Sequence, residues 1–375
     1  MRRSSGRVTS DCPQTGQKWA PSGAVAPHAG QFTGQGYGAP SSRAPGYCEH
    51  TFGTLVRMVE SGRSRLRWQV ADANQSQLAL FEQPEREIGR GEFRGLEFLH
   101  VRARSIINRV PDASPVPFRW TINAYRGCSH ACAYCFARPT HDYLGLGIGE
   151  DFERIIVVKI NAIERLRAEL VPSRWCGESI AMGTNTDPYQ RAEGKYGLTR
   201  GIVELLSRAR NPFSILTKGT LVLRDLDLLA EAAQRTTVSL NFSIGTLDED
   251  VWQLTEPGTP HPRKRLEAVQ RLNEAGVPCG VLIAPVLPGL SDRKEQIEAV
   301  VAGAVEANAT TIGGILLHLR PGVREHYLDW LARARPDLLA RHETMYRRSY
   351  AAPADRDRLS SLIGQIVRRY RGRRG

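Results

Sequence analysis

Residues 118–139 read FRWTINAYRGCSHACAYCFARP. The run 118–123 has the aromatic and β-branched content of a strand, and it leads directly into a loop that carries Cys128, Cys132 and Cys135. Three thiols this close face one centre only if the loop wraps around it. A structural zinc site takes four protein ligands, and a ferredoxin-type cluster takes four cysteines. The local count stops at three. His130 is the nearest further zinc ligand, but it lies inside the first spacer, where reaching the same centre would strain the loop. Three ligands on a four-iron cluster leave one iron free to bind another molecule. A cluster, a zinc site and a chance grouping of thiols are the readings at this point.

Downstream, short apolar runs alternate with amphipathic stretches. The runs are SIAMGT (179–184), FSILTK (213–218), TVSLNFSI (237–244), CGVLIAP (279–285) and GGILLHL (313–319), and RIIVVKI (154–160) reads as an accessory strand before a helix over 161–170. Helical periods fall at 199–209, 223–234, 262–275 and 293–307, two of them followed by the stop signals Asn211-Pro212 and Ala275-Gly276. Apolar strands separated by helices predict a parallel sheet buried on both faces. Six units are too few for an eight-stranded barrel and suit an open partial barrel or a doubly wound sheet. Both place chemistry at the C-terminal ends of the strands.

The chain has 375 residues and a net charge of +12. Residues 1–57 hold six basic against two acidic side chains, and 341–375 hold ten arginines against three acids, so the long middle is nearly neutral. The basic ends serve either solubility or nucleic-acid binding. The first 57 residues are rich in Gly, Ser, Pro and Ala without a helix or strand period, which predicts a disordered lead and leaves Met58 as an alternative start. Residues 58–117 read as an N-terminal extension packing on a core at 118–320. Residues 321–375 read as a helical C-terminal extension whose end exposes Arg368, Arg369, Arg371, Arg373 and Arg374. No run approaches the ~18 apolar residues of a membrane span, and no apolar segment follows MRRSSGR, so a secretory signal is not expected. Seven cysteines without an export signal suit a reducing, cytoplasmic compartment where clustered thiols serve metal or redox chemistry.

CxxxCxxC with Tyr134 before the last cysteine resembles the signature of the radical S-adenosylmethionine (SAM) superfamily. NAYRGCSHACAYCFARPTHDYLGL, GTNTDPYQRAEGKYGLTR, SILTKGTLVLRDLDLL and IAPVLPGLSD further resemble its SplB-like subgroup, relatives of spore photoproduct lyase often labelled "DNA repair photolyase". The resemblance spans roughly 95–350. It implies an α/β fold with a partial (β/α)6 barrel of TIM type. It implies that Cys128, Cys132 and Cys135 hold a [4Fe–4S] cluster whose free iron takes SAM, and that reductive cleavage gives a 5′-deoxyadenosyl radical. An external electron donor such as flavodoxin or ferredoxin is implied as a partner.

At the strand ends, Thr184 and Asp187 match the position that contacts the SAM methionine group, with an Asx-type turn before Pro188 as the plain alternative. Lys218 matches the SAM carboxylate contact and Ser243 the ribose or carboxylate contact. Ala284-Pro285 would pack on adenine. His318 and Arg320, at the end of the sixth strand, are the candidate catalytic residues, as a proton donor and an anion holder. Arg126, Arg138 and His141 flank the cluster loop. Arg138 precedes a proline and is expected to be extended. A product radical would need a hydrogen donor. Cys12 and Cys48 fall in the lead, Cys176 and Cys279 are expected to be small buried residues at the wrong end of the barrel, and Tyr125, Tyr134 and Tyr189 are the remaining donors. The reading is a radical SAM enzyme acting on DNA or RNA. The alternatives are modification of a protein, peptide or metabolite, and a nucleic-acid-binding protein with a purely structural cluster.

Overall fold

Each of the apolar runs forms a strand where the sequence places it. The structure is a computed structural model that describes residues 84–372 apart from 113, 115, 172 and 174; the lead at 1–57 and Met58 lie outside the described residues. The described strands are β1 (Glu85–Ile88), β2 (Glu97–Val101), β3 (Ile107–Arg109), β4 (Trp120–Ile122), β5 (Tyr125–Arg126), β6 (Ile155–Lys159), β7 (Ile180–Met182), β8 (Phe213–Thr217), β9 (Val238–Ser243), β10 (Cys279–Val286) and β11 (Ile312–Leu316).

One sheet runs β11-β10-β9-β8-β7-β4-β3, with β4 and β7 to β11 all parallel and β3 antiparallel on the edge. The parallel strands follow chain order without a reversal. Right-handed crossovers then put every connecting helix on the same face, which excludes the doubly wound alternative and curls the sheet into an open, partial TIM-type barrel. Register aligns the core across it: Met182 pairs with Ile215, Ile215 with Leu240, and Leu240 with Cys279, all buried.

The helices follow their apolar stripes. Helix Pro262–Glu274 begins on a proline, whose missing N–H is no loss in a first turn. It buries Arg265, Ala268, Val269 and Leu272, the i, i+3, i+4, i+7 face of an amphipathic helix. It stops where Gly276 takes φ +77° and the Val277 N–H returns to the Leu272 carbonyl at 2.9 Å, a left-handed C-terminal cap.

The accessory strand is β6, and it belongs to a second sheet, β1-β2-β6-β5. Because β5 ends at Arg126, this sheet delivers the chain to Cys128. It also buries Lys159, whose ammonium burial lowers to about 8, with Arg126 adding repulsion. A lysine with a depressed folded pKa destabilises the fold while it is charged. The unfolded chain holds the proton up to about pH 10.4, so stability should rise between about pH 8 and 10. Lys159→Met should raise the melting temperature at pH 7 and remove that rise; thermal melts across the pH series check both.

The C-terminal region is helical, with helices Val323–Ala334, Leu339–Met345 and Pro353–Arg371. The last packs across β11, where a Cβ on Gly314 would stand 2.2 Å from Ile363. Part of the expected free basic end is used in that docking. Arg369 pairs with Glu298, and Arg371 donates to the Ala309 and Thr310 carbonyls. Among the described residues no helix is long and apolar enough to cross a membrane.

Candidate active site

The cysteine loop leaves β5 through Gly127, at φ +80°, where a Cβ would stand 2.8 Å from the Ile155 carbonyl and 2.9 Å from the His141 ring. Ala131 takes a left-handed φ of +53°, so the chain coils back between Cys128 and Cys132. Cys128 and Cys132 are buried and Cys135 half-buried, and all three line one cavity at the C-terminal ends of the parallel strands. Among the described residues no three His, Cys, Asp or Glu side chains converge on a position for a single ion. The three thiols share the cavity wall, a soft donor set suited to a thiophilic metal group. Burial raises all three thiols, Cys132 to about 12, and a bound metal reverses that preference by taking the thiolate.

Two segments clamp this loop. From β7's side, Gln190 accepts from the Ser129 N–H at 2.9 Å and donates to the Gly127 carbonyl, which also accepts from Thr186 at 2.6 Å. From the other side, the Ala133 N–H donates to the Thr255 carbonyl, and Gly258 approaches so closely that a Cβ would meet the Ser129 carbonyl at 2.2 Å. Arg138 is fully buried and donates through Nε and Nη2 to the Cys132 carbonyl, through Nη1 to the Ile148 and Gly149 carbonyls, and through Nη2 to Glu153. It opens a 3₁₀ turn, Arg138–Thr140, rather than an extended segment; these tertiary bonds override the local bias before proline. His141 is buried and bonded to the Ile155 carbonyl at 2.9 Å, so it supports the loop from beneath, and Arg126 is half-buried.

The strand ends gather most of the residues expected there. Asp187, Lys218, Ser243, Ala284, Pro285 and His318 line the same cavity as the cysteines. Thr184 does not: its hydroxyl pairs with the Asn123 side chain. Asp187 is already saturated by the protein. Oδ1 accepts from Thr217 at 2.6 Å and the Tyr189 N–H at 2.9 Å, while Oδ2 accepts from the Lys218 N–H at 2.7 Å and faces His130 Nδ1 at 3.3 Å. Burial alone would raise this carboxyl; His130, Thr217 and the Lys218 N–H outweigh it and hold it at about 2. Asp187 thus ties the β7 and β8 loops to His130 and leaves little acceptor capacity for a ligand ammonium. The expected turn role and the expected place beside the cavity are both visible in it.

Lys218 Nζ donates to Ser243 Oγ at 2.7 Å, and Ser243 donates to the Ala284 carbonyl at 2.6 Å. The ammonium also lies 3.8 Å from Glu256 and above the Tyr134 ring. Glu256 is buried, accepts from the Tyr134 hydroxyl and pairs with fully buried Arg265 at 2.6 Å. Burial would raise the Glu256 carboxyl, but Arg265, Lys218 and Tyr134 hold it below its ordinary value. Glu256 and Arg265 were not expected from sequence. Their only signals are an acid in the turn-rich stretch LTEPGTP and an arginine on the apolar stripe of its helix.

Of the three tyrosines, only Tyr134 lines the cavity; Tyr125 bonds Glu193 at 2.6 Å. Tyr189 is buried against Gly219. Arg320 lies outside the cavity, exposed, with Nη2 bonded to the Phe136 carbonyl at 3.0 Å. Burial, reinforced by Arg320, lowers the His318 imidazole, so it faces the cavity uncharged near neutral pH. Cys279 is buried at the start of β10, as expected, whereas Cys176 is exposed because the loop before β7 runs over the surface.

Comparison with known proteins agrees with this geometry. The Radical SAM superfamily match covers residues 122–301. An uncharacterized protein of Mycobacterium tuberculosis is 45% identical over 287 residues, 76% of this chain and 84% of the relative. An uncharacterized protein of Methanocaldococcus jannaschii is 32% identical over 200 residues, 52% of this chain and 70% of the relative. Among solved structures, a spore photoproduct lyase variant superposes with a TM-score of 0.56 at 17% identity, covering 73% of this chain and 79% of that one. The same lyase complexed with dinucleoside spore photoproduct gives 0.55 at 16% identity over the same shares. That likeness is one of fold. With its three-cysteine loop at the mouth of an open parallel barrel, the chain belongs to the radical SAM superfamily.

Proposed function

We propose that this radical SAM enzyme cleaves SAM reductively at a [4Fe–4S] cluster held by Cys128, Cys132 and Cys135, and acts on nucleic acid. The observation that carries the reading is that all three thiols share one cavity with Lys218 and Ser243 at the strand C-termini. The family implies both cofactors, and three thiols lining one open cavity fit the cluster. When bound, the cluster and SAM supply an electron and a 5′-deoxyadenosyl radical that abstracts hydrogen from a substrate.

The chain's own residues bind and orient. Lys218, already aligned by Ser243 and Glu256, offers its remaining donor capacity to the SAM carboxylate. Asp187 fixes the backbone from which Lys218 projects, and Thr184 braces the same loop through Asn123. Ala284 and Pro285 give an apolar wall suited to adenine. His318 sits at the mouth as a neutral imidazole able to accept or relay a proton. Residues 118–320 form the catalytic core in this reading, and the electron comes from a carrier such as flavodoxin or ferredoxin. Nucleic acid as substrate is supported by the fold shared with a lyase that binds a dinucleoside photoproduct and by the arginine-rich C-terminal segment.

Anaerobically prepared protein should hold about four irons and, with a strong reductant, convert SAM to methionine and 5′-deoxyadenosine. Lys218→Ala should keep the iron and need about ten- to a hundredfold more SAM, since a charge-assisted bond contributes roughly 1.5–3 kcal/mol. Protein that binds one zinc and no iron would overturn the reading.

A further inference from the structure

Three rings line up at the cavity mouth, His318 stacked on Tyr350 and tilted 32° to Phe136, and a guanidinium lies over each outer ring. Phe136, next to Cys135, lies 6.0 Å from His318, centroid to centroid. His318 stacks on Tyr350 at 5.4 Å and 17°. Arg320 lies 5.9 Å over Phe136, and Arg356 lies 5.8 Å over Tyr350. The backbone fixes the stack, because His318 and Tyr350 form an antiparallel bridge and the Leu319 N–H donates to the Ser349 carbonyl at 2.7 Å. Phe136 and His318 line the cavity. Tyr350 is the outer ring and is 50% exposed, an unusual place for a large aromatic that no core requires. Arg347 and Arg348, three and two residues before it, are exposed and form no ion pair among the described residues.

A column of rings that begins beside the cysteines and ends at a half-exposed tyrosine is a surface for another planar ring once the Arg356 guanidinium swings aside. Unpaired arginines around its outer end select a ring that carries phosphate. We infer that Tyr350 is the stacking platform for an unpaired nucleobase, which displaces the Arg356 guanidinium from the ring face while Arg347 and Arg348 meet the adjoining phosphates, so that the substrate is single-stranded or locally unpaired nucleic acid. This rests on the cavity being the radical site proposed above. A base within a duplex has both faces covered and would have to leave the helix to reach Tyr350. Stacking of this kind tolerates any base, since each has a π-face.

Fluorescence anisotropy of the full chain with labelled oligothymidylate, oligouridylate and a duplex of equal length tests the inference. Both single strands should bind more tightly than the duplex, and the tighter of the two identifies DNA or RNA as the source. Tyr350→Ala should weaken single-strand binding about five- to a hundredfold, and Tyr350→Phe should stay within about twofold of the parent. Arg347→Ser with Arg348→Ser should lower the salt slope by about 1.4, which is two phosphate contacts on a single strand. If Tyr350→Ala does not fold, the Tyr350→Phe and double-arginine results decide. Equal binding of duplex and single strand, unchanged binding by Tyr350→Ala, or an unchanged salt slope overturns the platform. Iron content and SAM cleavage of the parent protein are measured on the same preparation. Iron with no single-strand binding removes the platform alone, and single-strand binding without iron removes the radical chemistry alone.

Discussion

Cys132→Ala protein prepared under anaerobic conditions is expected to form no 5′-deoxyadenosine above background and to lose most of its iron. Cys132 is one of only three thiols on the cavity among the described residues. Its backbone cannot shift to let another group substitute, because its carbonyl accepts two bonds from buried Arg138. The spacing leaves Ser129, His130, Ala131, Ala133 and Tyr134 as the neighbours within the loop, and His130 is held by Asp187. Cys279→Ala is the matched control. That thiol is buried at the opposite end of the strands, so its loss should leave the iron count at the parent value. Iron analysis and product chromatography on both variants check the pair, and a Cys132→Ala protein with full iron and normal cleavage would remove the cluster assignment.

Arg138→Ala is expected to be the most destabilising single substitution near the site. The guanidinium is fully buried and places bonds on three backbone carbonyls and Glu153. Its removal leaves the Cys132 carbonyl without a partner in the interior, while Ile148, Gly149 and Glu153 are half-buried. Breaking a buried charged network of this kind costs about 3–5 kcal/mol, which is a fall of roughly 4–8 °C in melting temperature for a chain of this size. Arg138→Lys should recover little, since one ammonium cannot reproduce a planar fork aimed at four acceptors. Calorimetry on cluster-free protein separates this effect from cofactor loss, and a melting temperature within about 2 °C of the parent would show that the carbonyls find water instead.

The barrel was legible because its strands are near-continuous apolar runs and its helices carry their own stops, as at Gly276. The three cysteines and the cavity face of Lys218, Ser243 and His318 were legible for a related reason: parallel strands put their last residues at one end. Sequence order alone did not choose between a singly and a doubly wound sheet, because the two differ only in where the next strand docks. The supports of the cysteine loop were not legible. Gln190, Thr186 and Gly258 act through one or two hydrogen bonds or a close approach to parts of the chain far away in sequence, and nothing local marks them. Glu256 and Arg265 were hidden in the same way, since a buried ion pair has no periodicity. Arg138 was misread in conformation because a residue before proline is biased by its neighbours, and five tertiary bonds outweigh that bias.

A barrel that closes has no strand edges, whereas one that stays open leaves two. An unpaired edge is a template for another chain, and aggregation is the usual result. Here β4 is not left bare: β3 pairs with it, is only three residues long, and ends in Arg109 beside Asp112. At the other side, helix Pro353–Arg371 lies across β11, tight enough to require glycine at 314. The open barrel therefore comes with its own protection against self-association, and the C-terminal helix guards a strand edge as well as completing the fold.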